Sequence, residues 1–272
     1  IGTITGNNTS TLIADTLPNR WRITGANDGT LNETSPTNPV TFTDFATLHG
    51  GDDNDTFTVV TNVQLTANID GGGQVLADAI DYSAQNVVVV NFGSGSIFGS
   101  ITGLEEVIGN GRDSTLNGPL AGEWLINGIN RGEVRDATGG APLFFSAFNY
   151  LNGGSGDDHV IVSGNGSLGT ALYAGAIHVG EGNNTLDVRL TGTQSGQVAF
   201  IGGTGTNTVT IDNDTANTTT YATGSYNPSA TAGYDQFTYV NGTAAYAVNV
   251  QHVSTVSSLL RVNTFTVNGT NA

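Results

Sequence analysis

Asn19 to Val59 reads NRWRITGANDGTLNETSPTNPVTFTDFATLHGGDDNDTFTV, and Gly122 to Val162 reads GEWLINGINRGEVRDATGGAPLFFSAFNYLNGGSGDDHVIV. The two stretches align at a constant offset of 103 residues without a gap. Trp21 meets Trp124, Ile23 meets Ile126, Gly25 meets Gly128 and Asn27 meets Asn130. Phe42, Phe45 and Leu48 meet Phe145, Phe148 and Leu151, and Gly50-Gly51 meets Gly153-Gly154. Thirteen of the 41 positions are identical, and they fall on glycines and large apolar residues, where chance does not concentrate them. The match extends upstream, with ITGN at Ile4 facing VIGN at Val107. Long internal repeats of this kind belong to folds whose units stack and bury a shared core.

A shorter rhythm runs inside the repeat. Glycine-rich turns fall at Gly50-Gly51, Gly71 to Gly73, Gly93 to Gly99, Gly109 to Gly111, Gly153-Gly154, Gly180 to Gly182 and Gly202-Gly203. Short runs of Val, Ile, Thr, Phe and Tyr follow them: DTFTVV at Asp55, NVVVVNF at Asn86, DHVIV at Asp158, NTLDV at Asn184 and NTVTI at Asn207. Their apolar patterns are those of strands. The nearest helix candidate, GLEEVIGN at Gly103, reads better as a strand ending in a turn. Strands and Gly/Asn/Asp corners at roughly 20-residue intervals predict an all-β fold, a right-handed parallel β-solenoid forming a single elongated domain. Repeats are expected over about 4–106 and 107–201, with a degenerate third portion over 202–272. The competing architecture is a pair of β-sandwiches.

Composition narrows function. The net charge is −16, and seven scattered Arg are the only basic residues besides four His. That excludes a phosphate-neutralising nucleic-acid surface and a polybasic lipid anchor. No apolar run reaches the 18 residues of a membrane helix. With no Cys, stability rests on the core and the backbone ladders. A chain that opens at Ile1 and holds no Met reads as a processed product or a piece of something longer.

The order NRWRITGANDGTLN, VTFTDFATLHGGDDNDTFTV, NIDGGGQVLADAIDYSAQNVVVVNF and GSITGLEEVIGNG resembles β-solenoid repeat modules of giant bacterial surface proteins, the filamentous-haemagglutinin-like and RTX-like adhesins. The resemblance covers most of residues 1–210. It implies secretion to the cell surface or extracellular matrix and a role in adhesion, aggregation or biofilm. The partners it implies are further repeats of the same chain, copies stacked head to tail, or surface glycans.

Four chemistries compete at the sites. Gly153 to Val160 fits the calcium-binding nonapeptide GGxGxDxUx in full, and Gly50 to Phe57 fits except at Asp53. Gly202 to Asn207 and Val179 to Asn184 carry Asn where the key Asp belongs. If calcium binds, its ligands are Asp52, Asp53 and Asp55, or Asp157 and Asp158; otherwise these are Gly-Asp corners that turn the chain and hydrogen-bond locally. No cofactor is required. Polysaccharide cleavage on a β-helix needs convergent carboxylates or a basic proton acceptor. Lys is absent, and His49, His159, His178 and His252 have no metal-like or triad-like spacing. Trp21 and Trp124 are either sugar platforms or core, and their register with Ile23 and Ile126 favours core. The Thr-rich stretches at Thr206 and Asn217 lack the regular T-x-T of an ice-binding face. The expected function is therefore non-catalytic: a rod or self-assembling filament subunit of an adhesin or matrix fibre. A calcium-dependent or carbohydrate-binding module, an ice binder and a β-helix enzyme are the alternatives.

Overall fold

The structure, a computed structural model, describes residues 2–33, 39–73, 77–92, 101–170, 172, 174–214, 219–231 and 233–268. The turn at Gly93 to Gly99 and the start of the Thr-rich run at Asn217 lie outside the described residues. Among the described residues the chain is all-β, and most strand pairs are parallel. It divides into two compact units, Ile1–Leu116 with Ala141–Phe148, and Asn117–Gly140 with Asn149–Ala272.

In the first unit, strands Asn19–Ile23, Thr56–Val59, Ala79–Asp81, Glu106–Ile108 and Leu143–Ser146 lie side by side and parallel. Their alternation aims every second residue inward. Register then stacks Trp21 on Phe57, Ile80, Val107 and Phe145, each at most 2% exposed. Trp21 lies flat on Phe57 (5.4 Å, 14°) and meets Phe42 edge-on (5.6 Å, 70°), so the ring that recurs in the repeat is core. GLEEVIGN supplies the strand Glu106–Ile108. Along the other side of this unit, Thr3–Ile13, Val40–Asp52, Asn68–Gly73 and Ile101–Thr102 pair in parallel, aligning Leu12, Leu48, Ile69 and Ile101.

In the second unit, Gly122–Gly128, His159–Val162, Thr185–Leu190, Thr208–Asn213 and Thr255–Ser258 repeat the arrangement and stack Trp124, Val160, Leu186, Val209 and Val256. A second sheet runs through Tyr150–Asn152, Ala176–His178, Gly196–Ile201 and Ala244–Gln251, aligning Leu151, Ile177, Phe200 and Val250.

Uniform parallel stacking does not describe every segment. Asn19–Ile23 pairs antiparallel with Gly29–Glu33, and Gly122–Gly128 pairs antiparallel with Arg131–Asp136. The repeat's signature Trp-x-Ile-x-Gly-x-Asn-x-Gly is thus a hairpin. Its turn closes through the Thr24 and Gly25 N–H groups on the Asp28 carbonyl (3.0 and 3.2 Å). Gly29 is obligatory there, because a Cβ would lie 2.4 Å from the Arg22 carbonyl oxygen. The third portion also departs from the pattern. Thr220–Thr231, Tyr234–Asn241 and Ala244–Gln251 form an antiparallel meander, inserted before the stack resumes at Thr255–Ser258.

Candidate functional site: a polar ladder at the Gly-Asp corners

Each Gly-Asp corner ends where a core strand begins, so its polar residue sits at the end of the stack. Here the side chains bond from rung to rung. In the first unit the Asn19 N–H donates to Asp55 Oδ1 (2.7 Å), the Asp55 N–H to Asp78 Oδ1 (2.7 Å) and the Asp78 N–H to Glu105 Oε2 (2.9 Å). In the second the Gly122 N–H donates to Asp158 Oδ1 (2.6 Å), the Asp158 N–H to Asn184 Oδ1 (2.8 Å) and the Asn184 N–H to Asn207 Oδ1 (3.4 Å). Each side chain reaches back to the preceding rung, while its own carbonyl accepts from the next: Ala79 N–H to Asp55, Thr185 N–H to Asp158, Thr208 N–H to Asn184, all 2.9 Å.

A second, outer track lies one residue earlier and points the other way. The Ala77 N–H donates to Asn54 Oδ1 (3.2 Å), the Asn183 N–H to Asp157 Oδ1 (2.7 Å) and the Thr206 N–H to Asn183 Oδ1 (3.0 Å). The corners therefore hydrogen-bond from rung to rung as well as locally: these contacts join residues 23 to 36 apart in sequence.

The ladder explains the glycine that opens three of the corners; Val179 stands in that place before Asn184. A Cβ on Gly50 would sit 2.3 Å from Asp55 Oδ2, one on Gly153 2.1 Å from Asp158 Oδ2, and one on Gly202 2.6 Å from Asn207 Nδ2. No real Cβ tolerates such distances, so at these three corners the Gly-x4-Asp/Asn spacing is a packing requirement.

Asp55, Asp78, Asp158, Asn184 and Asn207 are at most 1% exposed. Burial pushes the carboxyls of Asp55, Asp78 and Asp158 up to about 6 from the ordinary 3.8. The N–H of Asn19 opposes the rise at Asp55, that of Asp55 opposes it at Asp78, and that of Gly122 opposes it at Asp158. Asp53 and Asp15 add repulsion at Asp55; Asp55, Glu105 and Asp53 add it at Asp78; Asp157 adds it at Asp158. The Asn residues show what the site accepts. Asn184 Nδ2 donates to the Glu181 and Gly182 carbonyls, and Asn207 Nδ2 donates to those of Gly203 and His252. The atom in that place for Asp55 and Asp78 is Oδ2, which is buried and among the described residues has no hydrogen-bond partner. A protonated carboxyl supplies the missing donor; a carboxylate does not.

The five residues read as calcium ligands are thus placed as follows. Asp55 and Asp158 are interior ladder members. Asp157 belongs to the outer track. Asp52 is exposed, and Asp53 has φ 85° with its Oδ1 accepting the Asn54 N–H (2.9 Å). Among the described residues no group of three or more His, Asp or Glu side chains converges as a metal would need. Asn19, Asp78 and Glu105 are ladder members outside the calcium motif; the signal was their position at the start of a strand or just before one. Two of the histidines find acidic neighbours on the next rung: His49 Nδ1 lies 3.0 Å from Asp70 Oδ2, and His159 Nε2 lies 3.0 Å from Asp187 Oδ2.

Protein-family models, curated proteins and solved structures offer no match to this chain. The ladder and the stacked core therefore carry the functional reading.

Proposed function

We propose that this chain is a non-catalytic structural segment of a secreted bacterial adhesin or matrix fibre, folded as a right-handed parallel β-solenoid and acting as a rod or as a self-assembling filament subunit. The observation that carries it is the polar ladder. Successive rungs satisfy a neighbour's main chain through a buried Asp or Asn, or at Asp78 through Glu105, so the working interactions are those that propagate a stack. The three carboxyls with raised pKa values, Asp55, Asp78 and Asp158, are of the kind among which acid–base chemistry is usually sought, and they are turned inward and bound to backbone N–H groups. That assignment gives them a structural task. The edge strand Thr255–Ser258 pairs with Thr208–Asn213 on one side, and a further rung or second copy would extend it.

Negative-stain microscopy and light scattering of the isolated chain test the reading. Elongated particles, single or growing end to end with concentration, are expected; compact particles overturn it. Incubation with a panel of polysaccharides is expected to release no products. Product release that is lost in a variant of a single carboxylate would replace the structural reading with an enzymatic one.

A further inference from the structure

We propose that the second unit binds a neutral saccharide chain in a trough on the solvent face of its second sheet. The trough has a volume of about 360 Å³. Strand register puts Tyr150 beside Ala176, Ala199 beside Asn249, and Asn249 beside Gln236. Ile177 and His178 pair with Phe200 and Ile201, which brings Ala176 into line with Ala199. The floor is made by these two alanines, with Gly175 next to them. Tyr150 rises at one end and Tyr234 at the other. From Tyr150 to Gln236 is four strand spacings, about 19 Å, room for several linked sugar rings.

The chemistry of the lining selects the ligand. The chain has 23 acidic and seven basic residues, yet none of them lines this trough. His178 completes the wall, and burial lowers its pKa, keeping the ring neutral at physiological pH. The remaining polar groups are the amides of Gln197, Gln236 and Asn249. Gln236 Nε2 donates to Asn249 Oδ1 (2.9 Å), which fixes the two amides side by side and uses only one of the four N–H groups that they carry. Flat phenol rings, small residues beneath them and paired amides suit a ligand with apolar C–H faces and hydroxyl edges. An anionic polymer finds no cation here, and the net charge of −16 repels it. A peptide adding as a strand finds no open edge, since Ala176–His178 and Gly196–Ile201 are each paired on both sides. The trough lies within the second unit and does not depend on the rod reading.

The test is affinity electrophoresis of the whole chain through gels containing dextran, hydroxyethylcellulose, galactomannan or polygalacturonate. At least one neutral polymer is expected to retard the chain. Tyr150→Ala should weaken the association constant about tenfold, the usual effect of truncating an aromatic anchor, with Tm unchanged. If Tyr150→Ala fails to fold, Gln197→Glu gives the same readout by placing a charge in the trough at constant size. No retardation by any neutral polymer, retardation by polygalacturonate alone, or retardation equal in the variants overturns the assignment.

Discussion

Replacing Asp78 with Asn is expected to stabilise the first unit at neutral pH and to do nothing at pH 4. Asp78 is 0% exposed, its Oδ1 accepts the Asp55 N–H, and its Oδ2 has no partner among the described residues. Its place on the ladder is that of Asn184: Ala79 and Thr185, the next residues, begin equivalent strands. Its folded pKa is about 6, against 3.8 for the free group, so the fold binds the proton more tightly than the unfolded chain does. Stability from this group is therefore complete below pH 3.8, falls as pH rises through the window up to about 6, and stays lost above it. The full cost of the carboxylate at pH 8 is roughly 3 kcal/mol; sharing of the repulsion with Asp55 brings the expected gain of Asp78→Asn to about 1–2 kcal/mol. Urea denaturation at pH 4, 6 and 8 measures it. Carrying Trp124→Phe as background in both proteins leaves Trp21 as the sole tryptophan, reporting on the first unit. A gain at pH 8 that shrinks towards zero at pH 4 is expected. An equal effect at both pH values, or a loss at pH 8, would show that the ladder does not prefer a neutral side chain.

Further outcomes follow from the same geometry. Gly153→Ala drives a methyl group into Asp158 Oδ2 at 2.1 Å and should cost about 2–4 kcal/mol in urea denaturation, whereas a loop glycine under no such pressure would cost far less. Trp124→Ala removes a side chain 1% exposed and should cost about 3–5 kcal/mol, read by the loss of cooperative unfolding in circular dichroism. The unmodified protein should melt at a higher temperature at pH 4.5 than at pH 7.5, since Asp55, Asp78 and Asp158 all gain protons in that interval. Millimolar calcium should leave Tm unshifted if the corners serve only the ladder; a rise abolished in Asp52→Asn or Asp157→Asn would assign those residues to an ion.

Much of this core was legible in the sequence because burial selects residue types strongly. The pairs that align across the repeat, Trp21 with Trp124, Phe42 with Phe145, Phe45 with Phe148 and Leu48 with Leu151, are all at most 4% exposed. The hairpins were not legible. Asn19–Ile23 alternates as any half-buried strand does, and a loop of Thr24 to Asp28 looks the same whether the chain continues forward or doubles back. The meander at Thr220–Thr231 escaped for the same reason.

The ladder was half legible, and the missing half was register. The motif drew attention to Asp55 and Asp158 but scored Asn184 and Asn207 as damaged copies of a calcium site. On the ladder the comparison reverses: Asn offers one acceptor and a donor to a position lined by carbonyls, and Asp offers the same only when protonated. Which residues bond also depends on spacing that differs between the halves. Asp55 meets Asp78 after 23 residues, whereas Asp158 meets Asn184 after 26. A constant offset of 103 therefore carries the core from one repeat to the other and loses the polar partner, because three extra residues precede Asn184. Strand pairing restores it: Thr185 beside His159 is the counterpart of Ala79 beside Thr56, and the buried Asx residue comes one position before each. The apolar stack thus specifies the rungs, and the buried side chains at their ends tie each rung to the next.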